Sequence, residues 1–159
     1  SFEDLLQFYV ETERLRATTL RLFDTYGPGD PRPKLLSLLR RIADSGESLE
    51  MSPGDQLQDL VYVDDVIDAL MLAGEKLRRG EIGAEMEVFA VSSDRPIPLR
   101  DLVSAFAAAY GRPLNIRWGG RPYREREVMV PWSQGAPLPG WKPRVPLAEG
   151  LRRMLDDRV

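Results

Sequence analysis

The sequence predicts an α/β fold. Apolar residues recur at helical spacing in five segments, short runs rich in β-branched and aromatic residues fall between them, and Gly and Pro punctuate the joins. Helices that alternate with strands along a chain are the pattern of this class.

The first helix is predicted over Phe2 to Arg16, where Phe2, Leu5, Leu6, Tyr9 and Val10 share one face and Glu3, Asp4, Glu11 and Glu13 lie elsewhere on the wheel. Its stripe is already running at residue 2, with hardly any cap, which suggests a longer parent chain. A strand follows over Ala17 to Phe23, ended by the turn-forming run Tyr26-Gly27-Pro28-Gly29-Asp30-Pro31. Pro33 suits the first turn of a second helix that carries Leu35, Leu36, Leu38, Leu39 and Ile42 and stops at Gly46. Gln56 to Val63 reads as a short strand. Asp64-Asp65 then caps a helix whose inner face holds Val66, Ile67, Leu70, Met71 and Leu77. Met86 to Val91 is a second buried strand, and Leu99 to Tyr110 a helix closed by Gly111 and Pro113. A short strand over Asn115 to Trp118, a polar Pro-rich stretch from Gly119 to Pro146, and a last helix with Leu147, Leu151, Met154 and Leu155 complete the chain. Two long strands make a poor sheet; either the short strands complete it or neighbours are absent.

Composition narrows the chemistry. The 159 residues carry 22 basic and 25 acidic side chains, a net charge of −3, which removes the footprint of a general nucleic-acid or membrane-surface binder. With neither His nor Cys, imidazole bases, thiolate nucleophiles, disulfides and His/Cys metal sites are excluded, and no metal site is expected. No stretch approaches the roughly 18 apolar residues of a membrane span. A cytoplasmic location is the default reading of a chain without Cys or a signal-peptide pattern.

Four segments carry a resemblance. Leu20 to Gly29 (LRLFDTYGPG), Gly54 to Val66 (GDQLQDLVYVDDV), Arg124 to Val128 (REREV), and Gly140-Trp141-Lys142-Pro143 with Pro146 to Leu151 (PLAEGL) resemble, in order and spacing, segments of the extended short-chain dehydrogenases/reductases. This is the NAD-dependent epimerase/dehydratase family of nucleotide-sugar enzymes. The LFDTYG run with Pro31-Arg32-Pro33-Lys34 and Met51 to Gln56 is similar to the CDP-abequose/CDP-paratose synthase branch, reductases of CDP-4-keto-6-deoxy sugars.

The resemblance implies the C-terminal part of an extended Rossmann-type fold: the last parallel strands plus a small α/β substrate-binding domain over residues 1–159. The N-terminal dinucleotide-binding portion, with its GxxGxxG turn, is absent. The family's catalytic YxxxK is absent too, since the only lysines, Lys34, Lys76 and Lys142, follow Asp30, Leu72 and Leu138 by four positions. No catalytic residue is therefore assigned in this chain; the Tyr/Lys pair is expected upstream of Ser1, on the helix that Phe2 to Arg16 would continue. NAD or NADP is expected in the intact protein and no cofactor on these residues alone. A nucleoside-diphosphate sugar is the expected substrate, for a reductase, epimerase or dehydratase; a non-catalytic binding module is the rival reading. A homodimer through the first helix is also implied.

Site residues follow position by position. Phe23 and Thr25 are placed by the resemblance on the nicotinamide side. Asp24, where many relatives have Asn, can only accept hydrogen bonds when ionised, so it suits a sugar hydroxyl or a water, or else an Asx turn. Arg32 and Lys34 can reach a diphosphate at a helix start, or form a solvated loop. Gln58 stands where an Arg often clamps the diphosphate, leaving Arg124 as the main cation with Arg126 as its deputy; an ion pair of Arg124 with Glu127 is the alternative. Tyr62 touches substrate or forms wall. Trp118 and Trp132 either stack on a base or pack. Asp59, Asp64 and Trp141 are read as structural, with Asp59 paired locally and Trp141 pinning the last helix.

Overall fold

The computed structural model describes residues 1–13, 15–83, 85–132 and 134–156. The first half runs α1 (Phe2–Glu13), β1 (Thr18–Leu22), β2 (Asp24–Tyr26), α2 (Leu35–Ser45), β3 (Leu49–Met51), β4 (Leu57–Gln58), β5 (Leu60–Tyr62) and α3 (Val63–Arg79). The second runs β6 (Glu87–Val91), β7 (Ile97–Pro98), α4 (Leu99–Tyr110), β8 (Ile116–Trp118), β9 (Ala136–Pro137) and α5 (Leu147–Asp156). Residue 14, over which the sequence carries the first helix on to Arg16, lies outside the described residues, as do 157–159 of the last segment.

The two β-rich runs pair with each other. Strand β1 lies parallel to β6, from Thr18 opposite Glu87 to Leu22 opposite Val91, and β9 pairs in parallel with the far side of β6. Strand β1 is thus an edge of this sheet among the described residues. After Phe23 the chain stays extended but changes partner: β2 pairs in parallel with β5, Asp24 opposite Leu60. This switch opens a gap at the C-terminal end of β1, the place where α/β sheets receive ligands.

Two helix readings are corrected. Helix α3 begins at Val63, one residue before Asp64, and its N-cap position is Tyr62 with no side-chain cap; Asp64 and Asp65 lie in the first turn. Its buried stripe runs through Val66, Ala69 and Ala73, while Ile67, Leu70 and Met71 are exposed. The small residues repeat at the helical period and let α3 sit close to the sheet, which turns the bulky ones outward. In α1 only Val10 is buried; Phe2, Leu5, Phe8 and Tyr9 remain exposed. The other helices end as the sequence suggests, on left-handed glycines: Gly46 (φ 73°) after α2 and Gly111 (φ 84°) after α4.

The predicted strand over Gln56 to Val63 divides in two. Strand β4 pairs antiparallel with β7, β5 pairs with β2, and Asp59 stands at the break. Strands β3 and β8 form a separate parallel pair, Leu49 opposite Ile116.

The apolar interior has two parts. One joins α2, α4 and α5 around Leu39, Leu102, Phe106 and Leu151 and includes Tyr26 and Tyr62. The other lies between α3 and β6 around Val61, Ala69, Val91 and Leu138. Tyr26 and Tyr62 meet edge to face with centroids 5.5 Å apart, and α5 comes against them at Gly150, where a Cβ would sit 2.2 Å from the Tyr26 hydroxyl. Among the described residues no His, Cys, Asp or Glu cluster suits a metal ion, and no helix is long and apolar enough to cross a membrane.

Candidate functional site

Three cavities open between β2, the 27–34 loop, α2 and the 121–132 segment, and they share Lys34, Gln58 and Arg124. The first, about 390 Å³, runs under the loop and is lined by Asp24, Thr25, Tyr26, Arg32, Arg40 and Met154 besides the shared three. The second, about 740 Å³, extends over α2 toward Glu50, Arg121 and Glu127. The third, about 550 Å³, extends toward Phe23, Asp59, Arg126 and Trp132. The shared residues come from three places in the sequence: the approach to α2, strand β4, and the Pro-rich stretch. Only the fold brings them together.

The cleft's charges are unevenly partnered. The Arg32 guanidinium grips Asp30 with both arms, at 2.7 Å each, and also donates to the Thr25 carbonyl at 3.4 Å. Arg32 thereby braces the loop. Hydrogen bonding to Arg32 holds the Asp30 carboxyl well down, at about 2. Lys34 Nζ lies 3.5 Å from Asp24 Oδ1. For Arg124 the alternative of an ion pair is not what the geometry shows: its backbone N–H, not its guanidinium, meets Glu127 at 3.3 Å. Among the described residues no carboxylate pairs with the side chains of Arg40, Arg124 or Arg126. Gln58 donates to the Leu57 carbonyl at 3.1 Å and lines all three cavities.

Phe23 and Thr25, expected on the nicotinamide side, present few polar groups. Phe23 lines the third cavity, and the Thr25 hydroxyl donates back to the Phe23 carbonyl at 3.3 Å. The 159 residues contain no GxxGxxG run to bring backbone against a pyrophosphate.

Tyr62 stands apart from the cleft. It is 4% exposed and packs in the core against Tyr26, the wall alternative of its two readings, and it lines none of these three cavities. Burial pushes the Tyr26 phenol far above its usual range. The Arg153 guanidinium lies over the Tyr62 ring at 5.6 Å. Trp118 carries Arg100 on its face, and Trp132 carries Arg21, each at 4.8 Å. Of the two, only Trp132 lines a cavity that holds Arg124 and Arg126.

Two buried carboxylates next to the cleft are structural, but not in the way the sequence suggests. Asp59 is paired across the fold, not locally: it accepts from the Ser92 hydroxyl and from the Ser93 N–H at 2.8 Å. Asp65 accepts the N–H groups of Arg144 (3.1 Å) and Val145 (3.0 Å), and its carbonyl accepts the Trp141 indole N–H at 2.9 Å. Trp141 thus holds the approach to α5, as expected. Arg40 was missed by sequence reasoning. Its position one helical turn beyond Leu36, on the cleft side of α2, is the signal that could have found it.

Comparison with known proteins places this geometry. Residues 1–88 match the NAD dependent epimerase/dehydratase family. A CDP-abequose synthase of Yersinia pseudotuberculosis is 30% identical over 114 residues, 72% of this chain and 38% of that protein. The structure resembles a UDP-glucose 4-epimerase of Thermotoga maritima solved with UDP-glucose (27% identity, TM-score 0.79), covering 98% of this chain and 50% of that one. It also resembles RMD of Pseudomonas aeruginosa complexed with NADPH (26% identity, TM-score 0.73), covering 98% and 52%. The chain spans about half the length or less of the curated CDP-abequose synthases it matches. With its four motifs on one Rossmann-type α/β framework and more than half of its length matched, the chain belongs to the NAD-dependent epimerase/dehydratase family.

Proposed function

We propose that this chain is the nucleotide-sugar-binding half of an NAD(P)-dependent enzyme acting on a nucleoside-diphosphate hexose, and specifically a reductase of an NDP-4-keto-6-deoxyhexose linked to CDP. The observation that carries the reading is the convergence of Lys34, Gln58 and Arg124 from three distant segments where the cavities meet. Arg124 supplies a planar cation suited to a diphosphate. Arg40 on α2 supplies a second charge, Lys34 one that it shares with Asp24 at 3.5 Å, and Gln58 a hydrogen bond without charge. Arg126 lies on the same segment as Arg124, toward Trp132, whose exposed ring offers a face for the base. Asp24 accepts from a sugar hydroxyl. Phe23 and Thr25 border the place where a nicotinamide would meet the sugar.

The similarity to CDP-abequose synthases favours the CDP-linked reductase. The likeness to a UDP-glucose 4-epimerase over nearly the whole chain supports an epimerase as the second reading. In either, the Tyr/Lys pair is expected in the part of the fold outside these 159 residues, and the chain alone turns over no NAD(P)H. The exposed Phe2, Leu5, Phe8 and Tyr9 of α1 are the surface proposed for a homodimer.

Calorimetric titration of the 159-residue chain with CDP-glucose and UDP-glucose tests the binding role. Saturable binding is expected, weakened about tenfold or more in Arg124→Ala, the size of a lost charge-assisted contact. A folded chain that binds neither ligand, or an Arg124→Ala variant that binds as the wild type does, would overturn it.

A further inference from the structure

We infer that Asp24 makes this cleft selective for a diphosphate esterified at both ends over one with a free terminal phosphate. The inference rests on the diphosphate reading above and deepens it. Its basis is the pairing of charge in the cavity under the loop. Four cations line that cavity, Arg32, Lys34, Arg40 and Arg124, against two carboxylates, Asp24 and Asp30. Arg32 is taken up by Asp30 in a two-armed contact, and Lys34 faces Asp24 at 3.5 Å. Arg40 and Arg124 are left, among the described residues, without a carboxylate. Two uncompensated positive charges match the two negative charges of a doubly esterified diphosphate.

A free nucleoside diphosphate is different. Its terminal phosphate takes on a further negative charge above about pH 6. Asp24 lines both the cavity under the loop and the one toward Trp132, and its side chain is 59% exposed, so it borders the space on either side of the shared cations. The extra charge would be placed beside this carboxylate, and Lys34 can neutralise one of the two but not both. At an effective dielectric between that of water and that of a protein surface, one such repulsion within several ångströms amounts to about tenfold in affinity. The same carboxylate does no harm to a ligand whose terminal oxygen carries a sugar or any other ester. It discriminates by repulsion, which a set of attractive contacts alone would not do. A site of this kind favours a nucleotide sugar over a free nucleoside diphosphate that competes for it.

The test compares CDP with its β-methyl ester, which has the charge of a nucleotide sugar but no sugar, by titration of the 159-residue chain at pH 7.5. The wild type is expected to bind the ester about tenfold more tightly than CDP. Asp24→Asn, which keeps the shape and adds a donor, is expected to bring the two within about threefold by gaining on CDP. Lys34→Gln, which leaves Asp24 unneutralised, is expected to widen the gap while weakening both ligands. This second variant also guards against an Asp24→Asn chain that does not fold. Equal binding of CDP and ester by the wild type, or a ratio unchanged in Asp24→Asn or in Lys34→Gln, overturns the role of Asp24 while the diphosphate site stands. Binding of neither ligand by the folded wild type sinks the diphosphate reading itself.

Discussion

Two neighbouring regions of this molecule use the same residue types in opposite ways. In the seam between α3 and the 141–145 segment, Asp65 is 2% exposed and receives two backbone N–H groups, while its own carbonyl receives the Trp141 indole. In the cleft, Asp24 and Lys34 face each other at 3.5 Å with roughly half of each side chain exposed, and Arg40 and Arg124 have no carboxylate partner among the described residues. In the seam no buried side-chain nitrogen or oxygen lacks a partner among the described residues, as low dielectric requires. The cleft leaves charge loosely held, where an incoming anion can exchange for what is there. Acid and base composition is similar in the two; burial and the number of fixed hydrogen bonds separate structure from function.

The largest test of this contrast is Asp65→Ala. It strands two part-buried N–H groups of the 144–145 backbone, each costing about 1–3 kcal/mol. A loss of about 3 kcal/mol is expected, which for a chain of this size lowers the thermal midpoint by about 10 °C. Asp65→Asn keeps one acceptor and should lose about half as much. Thermal melts followed by circular dichroism check both. If Asp65→Ala melts within about 2 °C of the wild type, the seam is no more structural than the cleft.

Gly150→Ala probes the point where the two regions touch. Tyr26 lines the cleft and packs against Gly150, so a new Cβ would stand 2.2 Å from its hydroxyl and 3.0 Å from a Tyr62 ring carbon. Overpacking of this kind costs about 1–3 kcal/mol, offset by about 1 kcal/mol of helix preference for Ala over Gly. A net loss of about 1–2 kcal/mol is expected, with weaker CDP-glucose binding because the displaced Tyr26 forms part of the cleft wall. Melting and titration of the same variant separate the two. Unchanged stability with unchanged binding would mean that the cleft floor is not tied to α5.

What the sequence made legible follows the range of each interaction. Helices α2 and α4 were readable because their apolar period and terminal glycines lie within a dozen residues, and the β1 and β6 strands because a short local run with Thr18 and Thr19, or Val88, Phe89 and Val91, suffices. Strands β3, β7 and β9, of two or three residues each, have no period to read; they exist because a distant partner lies beside them. The same limit explains Asp65. Its predicted cap role used only its neighbours, whereas its partners lie 76 to 80 residues away. In the cleft, the motifs identified Asp24, Lys34, Gln58 and Arg124, and the fold brings them together. That Arg32 is occupied by Asp30 was within reach of the spacing, two residues apart; that Lys34 faces Asp24 was not, since the loop between them sets the distance.

The smallest effect is expected at Arg32→Gln, and it bears on the loosely held side of the comparison. The Arg32–Asp30 contact is exposed and screened by salt, so it adds little to stability: the thermal midpoint at pH 7 should move by no more than about 1–2 °C. The sign with pH is fixed by the lowered Asp30 carboxyl. A carboxyl whose folded value lies near about 2 contributes fully above the unfolded value of about 3.9, and that contribution fades as pH falls from there through about 2. The small difference between wild type and variant should therefore be constant near neutrality and vanish toward pH 2, as thermal melts across that range would read. Binding should respond more than stability does, because the variant removes one positive charge from the cleft and leaves the Asp30 carboxylate there without its partner. A fewfold weaker affinity for CDP-glucose, diminished at 0.5 M salt, is the expected result. A melting shift larger than the binding change would reverse the assignment and make the 27–34 loop a structural element in the sense of the Asp65 seam.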